Sequence, residues 1–278
     1  MIQSPFGKLS RNAKYISDSL RWRLFGSDSQ SVYFYTIHKC ASALFAGYVL
    51  PNALGLKHVH YARKIYRGRQ ASELRFEPTG HVYGPIRVSA DRQSPVYDRF
   101  VKHVVEPEFI ADKKAVFLVR DPRDILVSAY YSFGFNHKLG QGTERKREML
   151  AARSQLRDLT VDQYALANAE FFRSSFDRIA ALNQSCEQSV ILRYEELIDD
   201  FEGFIKKLEP YIQLKPSVIR HLHNVSRPKQ KPQHAHRRSG QPSDFRSQLE
   251  PETIKAVNLA LGKVLADFGF EPAYRSVA

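Results

Sequence analysis

Three short apolar runs, each followed at once by a segment with helical spacing, constrain this chain more than anything else in it: Val32-Tyr-Phe-Tyr-Thr-Ile37, Ala115-Val-Phe-Leu-Val119 and Ser189-Val-Ile-Leu-Arg-Tyr194. Hydrophobicity that is continuous rather than alternating marks a strand covered on both faces. Strand-then-helix repetition is the βαβ signature, so the runs read as buried strands of a parallel sheet. Their helical partners are Ser42 to Leu50, stopped by Pro51, and Pro122 to Phe133, with Asp121 as N-cap and Pro122 at the first helical position. The third is Glu195 to Tyr211, where Leu197, Phe201, Phe204, Ile205 and Leu208 recur at helical spacing. Two further helices, Val161 to Leu182 and Pro251 to Phe268, the latter closed by Gly269 and Pro272, would cover the sheet. The polar stretches Arg67 to Arg99, Lys138 to Arg157 and Ser226 to Ser247 read as irregular.

At 278 residues the chain can bury a sizeable core, and no internal repeat or linker divides it. The expected fold class is therefore α/β, a single domain with a central parallel sheet flanked by helices. Residues 31–278 form that domain and residues 1–30 a basic N-terminal helical extension, in which Lys8, Arg11, Lys14, Arg21 and Arg23 leave no apolar core for a signal peptide. No run approaches the length of a membrane span, although the basic extension suits peripheral contact with a membrane. Two cysteines, Cys40 and Cys186, are too few for a disulfide framework, which points to a reduced, cytoplasmic protein. The 42 Lys and Arg exceed the 29 Asp and Glu by 13, a field that suits nucleic acid, an anionic membrane, a phosphorylated nucleotide or an acidic polysaccharide.

In open parallel sheets, ligands bind beyond the carboxyl ends of the strands, where helix N-termini present free N–H groups to anions. The residues there are Thr36-Ile-His-Lys-Cys-Ala-Ser-Ala43, Arg120-Asp-Pro-Arg-Asp124 and Tyr194-Glu-Glu196. A lysine, two arginines and an aromatic ring would converge on one edge, which suits a phosphorylated adenine nucleotide. A metal-dependent nucleotide kinase or P-loop NTPase is the alternative, with Asp121 imitating a Walker-B carboxylate. Its Gly-rich phosphate loop is missing, because no glycine lies between Ser31 and Gly47. A nonenzymatic nucleic-acid-binding protein is a further alternative; the basic residues form no recognised binding motif, and no nucleic acid is expected.

The same residues resemble the sulfotransferases that use 3′-phosphoadenosine 5′-phosphosulfate (PAPS). His38-Lys39-Cys40-Ala41-Ser42-Ala43 is similar to the family's Pro-Lys-Ser-Gly-Thr-Thr-like turn, with its proline and glycine replaced. Arg120-Asp-Pro-Arg-Asp-Ile-Leu-Val-Ser-Ala-Tyr-Tyr131 contains the second signature, Arg-x-x-x-Asp-x-x-x-Ser-x-Tyr, at full length. Arg238-Ser-Gly-Gln-Pro-Ser-Asp-Phe-Arg246 resembles the C-terminal Arg-Lys-Gly-x-x-Gly-Asp-Trp-Lys segment, and Tyr194-Glu-Glu196 the Tyr-Glu-Asp segment. The resemblance implies a P-loop NTPase-like sulfotransferase topology. It also implies transfer of a sulfuryl group from PAPS to a hydroxyl or amine of a small-molecule, lipid or carbohydrate acceptor, leaving 3′-phosphoadenosine 5′-phosphate (PAP) and requiring no metal.

Residue by residue, the turn Lys39, Cys40, Ala41, Ser42, Ala43 and Leu44 would bind the 5′-phosphosulfate, with Lys39 steadying the bridging oxygen. Arg120, Ser128 and Arg238, with Ser239 and Gly240, would hold the 3′-phosphate. A guanidinium fork with a hydroxyl is a strong dianion clamp. Tyr194 would lie on or near adenine, while Asp121, Arg123 and Asp124 read as capping and structural. The family's histidine base precedes the second signature, and Phe100-Val-Lys-His-Val-Val-Glu-Pro107 resembles that segment, nominating His103. His81 and Glu106 are the alternatives.

Overall fold

The computed structural model describes residues 27–60, 76–89, 104–136, 143–227 and 240–270. Within them one parallel sheet is built from β1 (Val32–Thr36), β2 (Lys57–Val59), β3 (His81–Arg87), β4 (Lys114–Val119) and β5 (Gln188–Arg193), in the order β2-β3-β1-β4-β5. The first, second and third apolar runs become β1, β4 and β5, the three adjacent strands at its middle and one edge. From β1 the chain goes out to β2, returns through β3, crosses to β4 and goes on to β5. Connections from the neighbours β1 and β4 thus depart in opposite directions, which opens a crevice between their carboxyl ends.

Helices lie against both faces. The turn after β1 leads into α1 (Ser42–Leu44), which runs on through a π-type turn (Phe45–Val49) and a 3-10 turn (Leu50–Asn52). Next come α2 (Pro107–Ile110), α3 (Pro122–Tyr131), α4 (Thr143–Arg157), α5 (Val161–Ser185), α6 (Tyr194–Asp199), α7 (Phe201–Leu208), α8 (Pro216–Ser226), α9 (Phe245–Gln248), α10 (Pro251–Ala260) and α11 (Gly262–Asp267). On one face Phe34 stacks on Phe45 at 4.8 Å, and Phe45 meets Phe204 of α7 at 6.3 Å. On the other, Tyr33 meets Phe109 of α2 edge-on at 5.4 Å, while Tyr35 stacks on Phe117 at 5.2 Å and donates its hydroxyl to the Val104 carbonyl at 2.7 Å. The long helix α5 starts with a capping box between Thr160 and Gln163, then packs against α3 and α10.

Several segments depart from the expectations. The stretch from Arg67 to Arg99, expected to be irregular, contains β3; Lys138 to Arg157 contains α4, and Ser226 to Ser247 ends in the start of α9. The helix expected over Glu195 to Tyr211 is two helices. Asp200 (φ −136°, ψ 67°) breaks the first and caps the second, accepting the Gly203 N–H at 3.0 Å. Pro251 to Phe268 likewise divides at Leu261. Helical periodicity continues across both breaks because each half buries its apolar face on the same core. Residues 1–26 of the expected extension lie outside the described residues, while Ser29 accepts the Gly80 N–H at 2.7 Å and Gln30 bridges to Thr79.

Candidate active site

The crevice at the carboxyl ends of β1 and β4 gathers the site. Thr36 closes β1 by donating its hydroxyl to the Leu118 carbonyl of β4 at 2.9 Å. The chain then turns sharply, with positive φ at Lys39 (69°) and Ala41 (55°), before α1 begins at Ser42. The glycine of the family's turn is alanine here, so a side chain occupies the left-handed region at a cost of roughly 1–2 kcal/mol. Cys40 points into the core, where burial pushes its thiol up to about 12 and keeps it a neutral packing group. Lys39 is half-buried, with its ammonium 5.6 Å from the Phe133 ring centroid. Burial, reinforced by the positive charges of Arg87 and Arg120, lowers its pKa to about 8.

The next strand end supplies Arg120, which is buried. Its Nη2 donates to Asp124 Oδ2 at 3.3 Å and to the Gln241 carbonyl at 3.4 Å, and its guanidinium lies 4.6 Å over the Tyr194 ring. Tyr194, at the end of β5, donates its hydroxyl to the Gly240 carbonyl at 2.7 Å, and Gly240 takes the positive φ (68°) that glycine tolerates. Asp124 completes the loop of contacts, its two oxygens accepting the N–H groups of Ser243 and Phe245 at 3.0 Å each. Burial opposes the charge on both partners. For Asp124 it raises the pKa, but two backbone donors and the adjacent guanidinium favour the carboxylate. For Arg120, Asp124, Tyr194 and Glu195 more than offset burial and hold the pKa above its ordinary value.

Asp121 caps α3 as expected, accepting the Arg123 N–H at 2.9 Å, and also forms a fork with the Arg123 guanidinium. Arg123 reaches on to Asn258 Oδ1 at 2.9 Å and lies 4.3 Å over Phe245. Ser128 stands half-buried one turn beyond Asp124 on the same side of α3, between Asp124 and Tyr131, whose hydroxyl meets Gln248 Oε1 at 2.9 Å. This side of α3 carries the segment from Gly240 to Gln248.

Residues 98–269 match the family model described as the sulfotransferase domain. The chain belongs to the sulfotransferase family. Among solved structures, this sulfotransferase is similar to a crystal structure of retinol dehydratase in complex with androsterone and inactive cofactor PAP. That match has 14% identity and a TM-score of 0.43, covering 89% of this chain and 82% of that one. No curated protein matches the chain in sequence. Its reaction is accordingly sulfuryl transfer from PAPS.

The residues fit an anionic nucleotide. Arg120 Nε is buried with no hydrogen-bond partner among the described residues, so this guanidinium has donor capacity left over. Glu195 Oε1 accepts the Asp121 N–H at 3.0 Å, whereas its buried Oε2 has no hydrogen-bond partner among them, and burial raises the carboxyl to about 7. No group of three or more His, Cys, Asp or Glu side chains among the described residues is arranged to hold a metal ion, and none of their helices is long and apolar enough to cross a membrane.

Of the residues singled out in the sequence, Lys39, Arg120, Ser128, Tyr194 and Gly240 come to one edge. His103, Arg238 and Ser239 lie outside the described residues. His81 sits at the amino-terminal start of β3, stacked on Tyr83 and facing the Thr79 carbonyl at 2.8 Å, at the end of the sheet opposite Lys39. Glu106 is exposed at the head of α2, which leads to the amino-terminal end of β4. Sequence reasoning missed Arg87, the last residue of β3, whose Nη2 is 3.4 Å from Ser42 Oγ. The signal for Arg87 was the alternating run Val82 to Val88, interrupted by Gly84-Pro85.

Proposed function

We propose that the chain carries PAPS along the carboxyl edge of the sheet, its 3′-phosphate at Arg120 and its phosphosulfate at the Lys39 turn, and passes the sulfuryl group to a hydroxyl on a glycan, lipid or small molecule. The observation that carries this placement is the order of the cations, Lys39 after β1 and Arg120 after the adjacent β4, with Tyr194 and Gly240 closing the Arg120 end. PAPS supplies an activated sulfuryl group when bound. The protein supplies fixed positive charge where charge develops, which costs no reorganisation during the reaction. Lys39 Nζ holds the 5′-phosphate oxygen that becomes negative. Arg120, with Ser128, Arg238, Ser239 and Gly240, binds the 3′-phosphate, and Tyr194 lies beside adenine. His103 is the group proposed to take the acceptor's proton. Both cysteines are free and buried, which fits a cytoplasmic setting.

Titration calorimetry with PAP against ATP and AMP tests the placement. PAP should bind tightest, and Arg120→Ala should weaken PAP by about 1.5–3 kcal/mol, the range for charge-assisted hydrogen bonds, while leaving AMP nearly unaffected. Turnover should persist in EDTA. Equal losses for PAP and AMP would remove the 3′-phosphate from Arg120, and strict Mg²⁺ dependence with ATP would place the chemistry in the kinase class.

A further inference from the structure

The corner between the ends of β4 and β5 holds an ionisable group that the nucleotide placement does not use. Val119 of β4 pairs with Arg193 of β5, so beyond the ladder Arg120 stands opposite Tyr194, and Asp121 opposite Glu195. The second pair is closed by a hydrogen bond, Glu195 Oε1 accepting the Asp121 N–H at 3.0 Å. The other oxygen, Oε2, is buried and has no hydrogen-bond partner among the described residues. The same is true of Arg120 Nε on the neighbouring strand end.

Charge at this corner is balanced without Glu195. Arg120 has Asp124 at 3.3 Å and Arg123 has the Asp121 fork, so each guanidinium already faces a carboxylate. Among the described residues, the titratable groups whose fields reach Glu195 are Arg120 and Asp121 from the β4 corner and the thiol of Cys40 from the turn after β1. On α6 itself, Tyr194 lies under the Arg120 guanidinium, and Glu196 is engaged by Arg193 and Lys207. An ionised Glu195 is therefore a third carboxylate beside two guanidinium groups that are already matched. Burial raises its carboxyl to about 7, against the Asp121 N–H and the Arg120 charge, which favour the ionised form.

On the placement proposed above, on which this inference rests, the 3′-phosphate arrives at Arg120 as a dianion. Like charges repel strongly where little solvent screens them. A dianion at Arg120 thus favours the neutral form of Glu195, and an ionised Glu195 loosens the dianion. These are one linkage read from its two ends.

We infer that Glu195 is a positioning residue that sets the grip of Arg120 on the 3′-phosphate, taking up a proton from solvent as PAPS or PAP binds and returning it as PAP leaves. In its neutral form the carboxyl still accepts the Asp121 N–H through Oε1 and leaves the guanidinium to the phosphate. Ionised, it competes for the guanidinium and repels the ligand.

Glu195→Gln fixes the neutral form and keeps an acceptor for the Asp121 N–H. In calorimetry, PAP should bind wild type and Glu195→Gln within about twofold of each other at pH 6, and the variant about tenfold more tightly at pH 8.5. AMP, which lacks the 3′-phosphate, should bind the two proteins alike throughout. Lys39 and the ligand's phosphates titrate in both proteins and cancel in the ratio. In buffers of differing ionisation enthalpy, the wild type should take up about half a proton per PAP bound at pH 7, and the variant almost none. A PAP ratio that does not change with pH would overturn the inference and leave Glu195 a brace for the β4 corner, as would an equal gain for PAP and AMP. The underlying placement fails differently: a wild-type protein with no preference for PAP over AMP at any pH would remove the 3′-phosphate from Arg120. Should Glu195→Gln fail to fold, the wild type alone carries the test, since PAP binding without proton uptake at pH 7 would overturn the inference equally.

Discussion

Lys39 is asked to be positive while half-buried beside two guanidinium groups, and its pKa of about 8 records the conflict. A lysine whose folded pKa lies below its usual 10.5 is a cost to the folded state at neutral pH. That cost is present below pH 8 and disappears as pH rises through 8 towards the ordinary lysine value. Ligand binding has the opposite sense. An anion at the turn favours the charged ammonium, so the Lys39 share of PAP affinity should hold up to about pH 8 and then decline about tenfold per pH unit, with proton uptake on binding growing over the same window. Lys39→Met should bind more weakly at neutral pH and lose this slope. Calorimetry from pH 7 to 9.5, in buffers of differing ionisation enthalpy, measures both. A wild-type slope no steeper than that of Lys39→Met would show that the ammonium does not meet the ligand.

At the scale of elements, β1 and β4 were legible because burial on both faces leaves an unbroken apolar run, and the half-buried edge strand β5 keeps a shorter one at Val190, Ile191 and Leu192. β3 was hidden. Gly84 and Pro85 interrupt its alternation, and the register with β1 slips between Tyr33 and Tyr35 at the same level. Those residues usually argue against a strand, and here they are what the packing requires. At Gly84 (φ 151°) an added Cβ would lie 2.7 Å from the Phe34 carbonyl oxygen and 3.0 Å from Phe34 Cβ. Gly84→Ala should therefore cost about 2–3 kcal/mol in urea unfolding. An unchanged midpoint would mean that β3 can move aside freely. The same blindness hid Arg87: Lys39 and Arg120 sit in recognisable motifs after visible strands, but a strand that is not seen has no carboxyl end to inspect. Asp200 and Leu261 escaped for a related reason, since helix breaks that keep the apolar face in register leave no mark in the periodicity.

For the molecule as a whole, Asp124 joins regions far apart in the chain. It is buried and meets Arg120 along with the N–H groups of Ser243 and Phe245, so its loss leaves a buried guanidinium and two backbone donors uncompensated. Asp124→Ala should cost about 3–5 kcal/mol in chemical unfolding, as for other broken buried ion pairs, and should abolish PAP binding. If stability drops while PAP affinity is retained, the carboxylate braces the fold without shaping the clamp. The clamp itself has a temporal consequence. The five strands of the described sheet are complete by Arg193, whereas the backbone partners of Asp124 and Tyr194 arrive only with Gly240 to Phe245. A chain emerging from the ribosome can assemble its sheet, with Lys39 and Arg120 in place, before any grip on a nucleotide exists. On the proposed placement, binding is then the last property acquired during synthesis, and a chain halted before residue 240 would possess the platform and lack the grip.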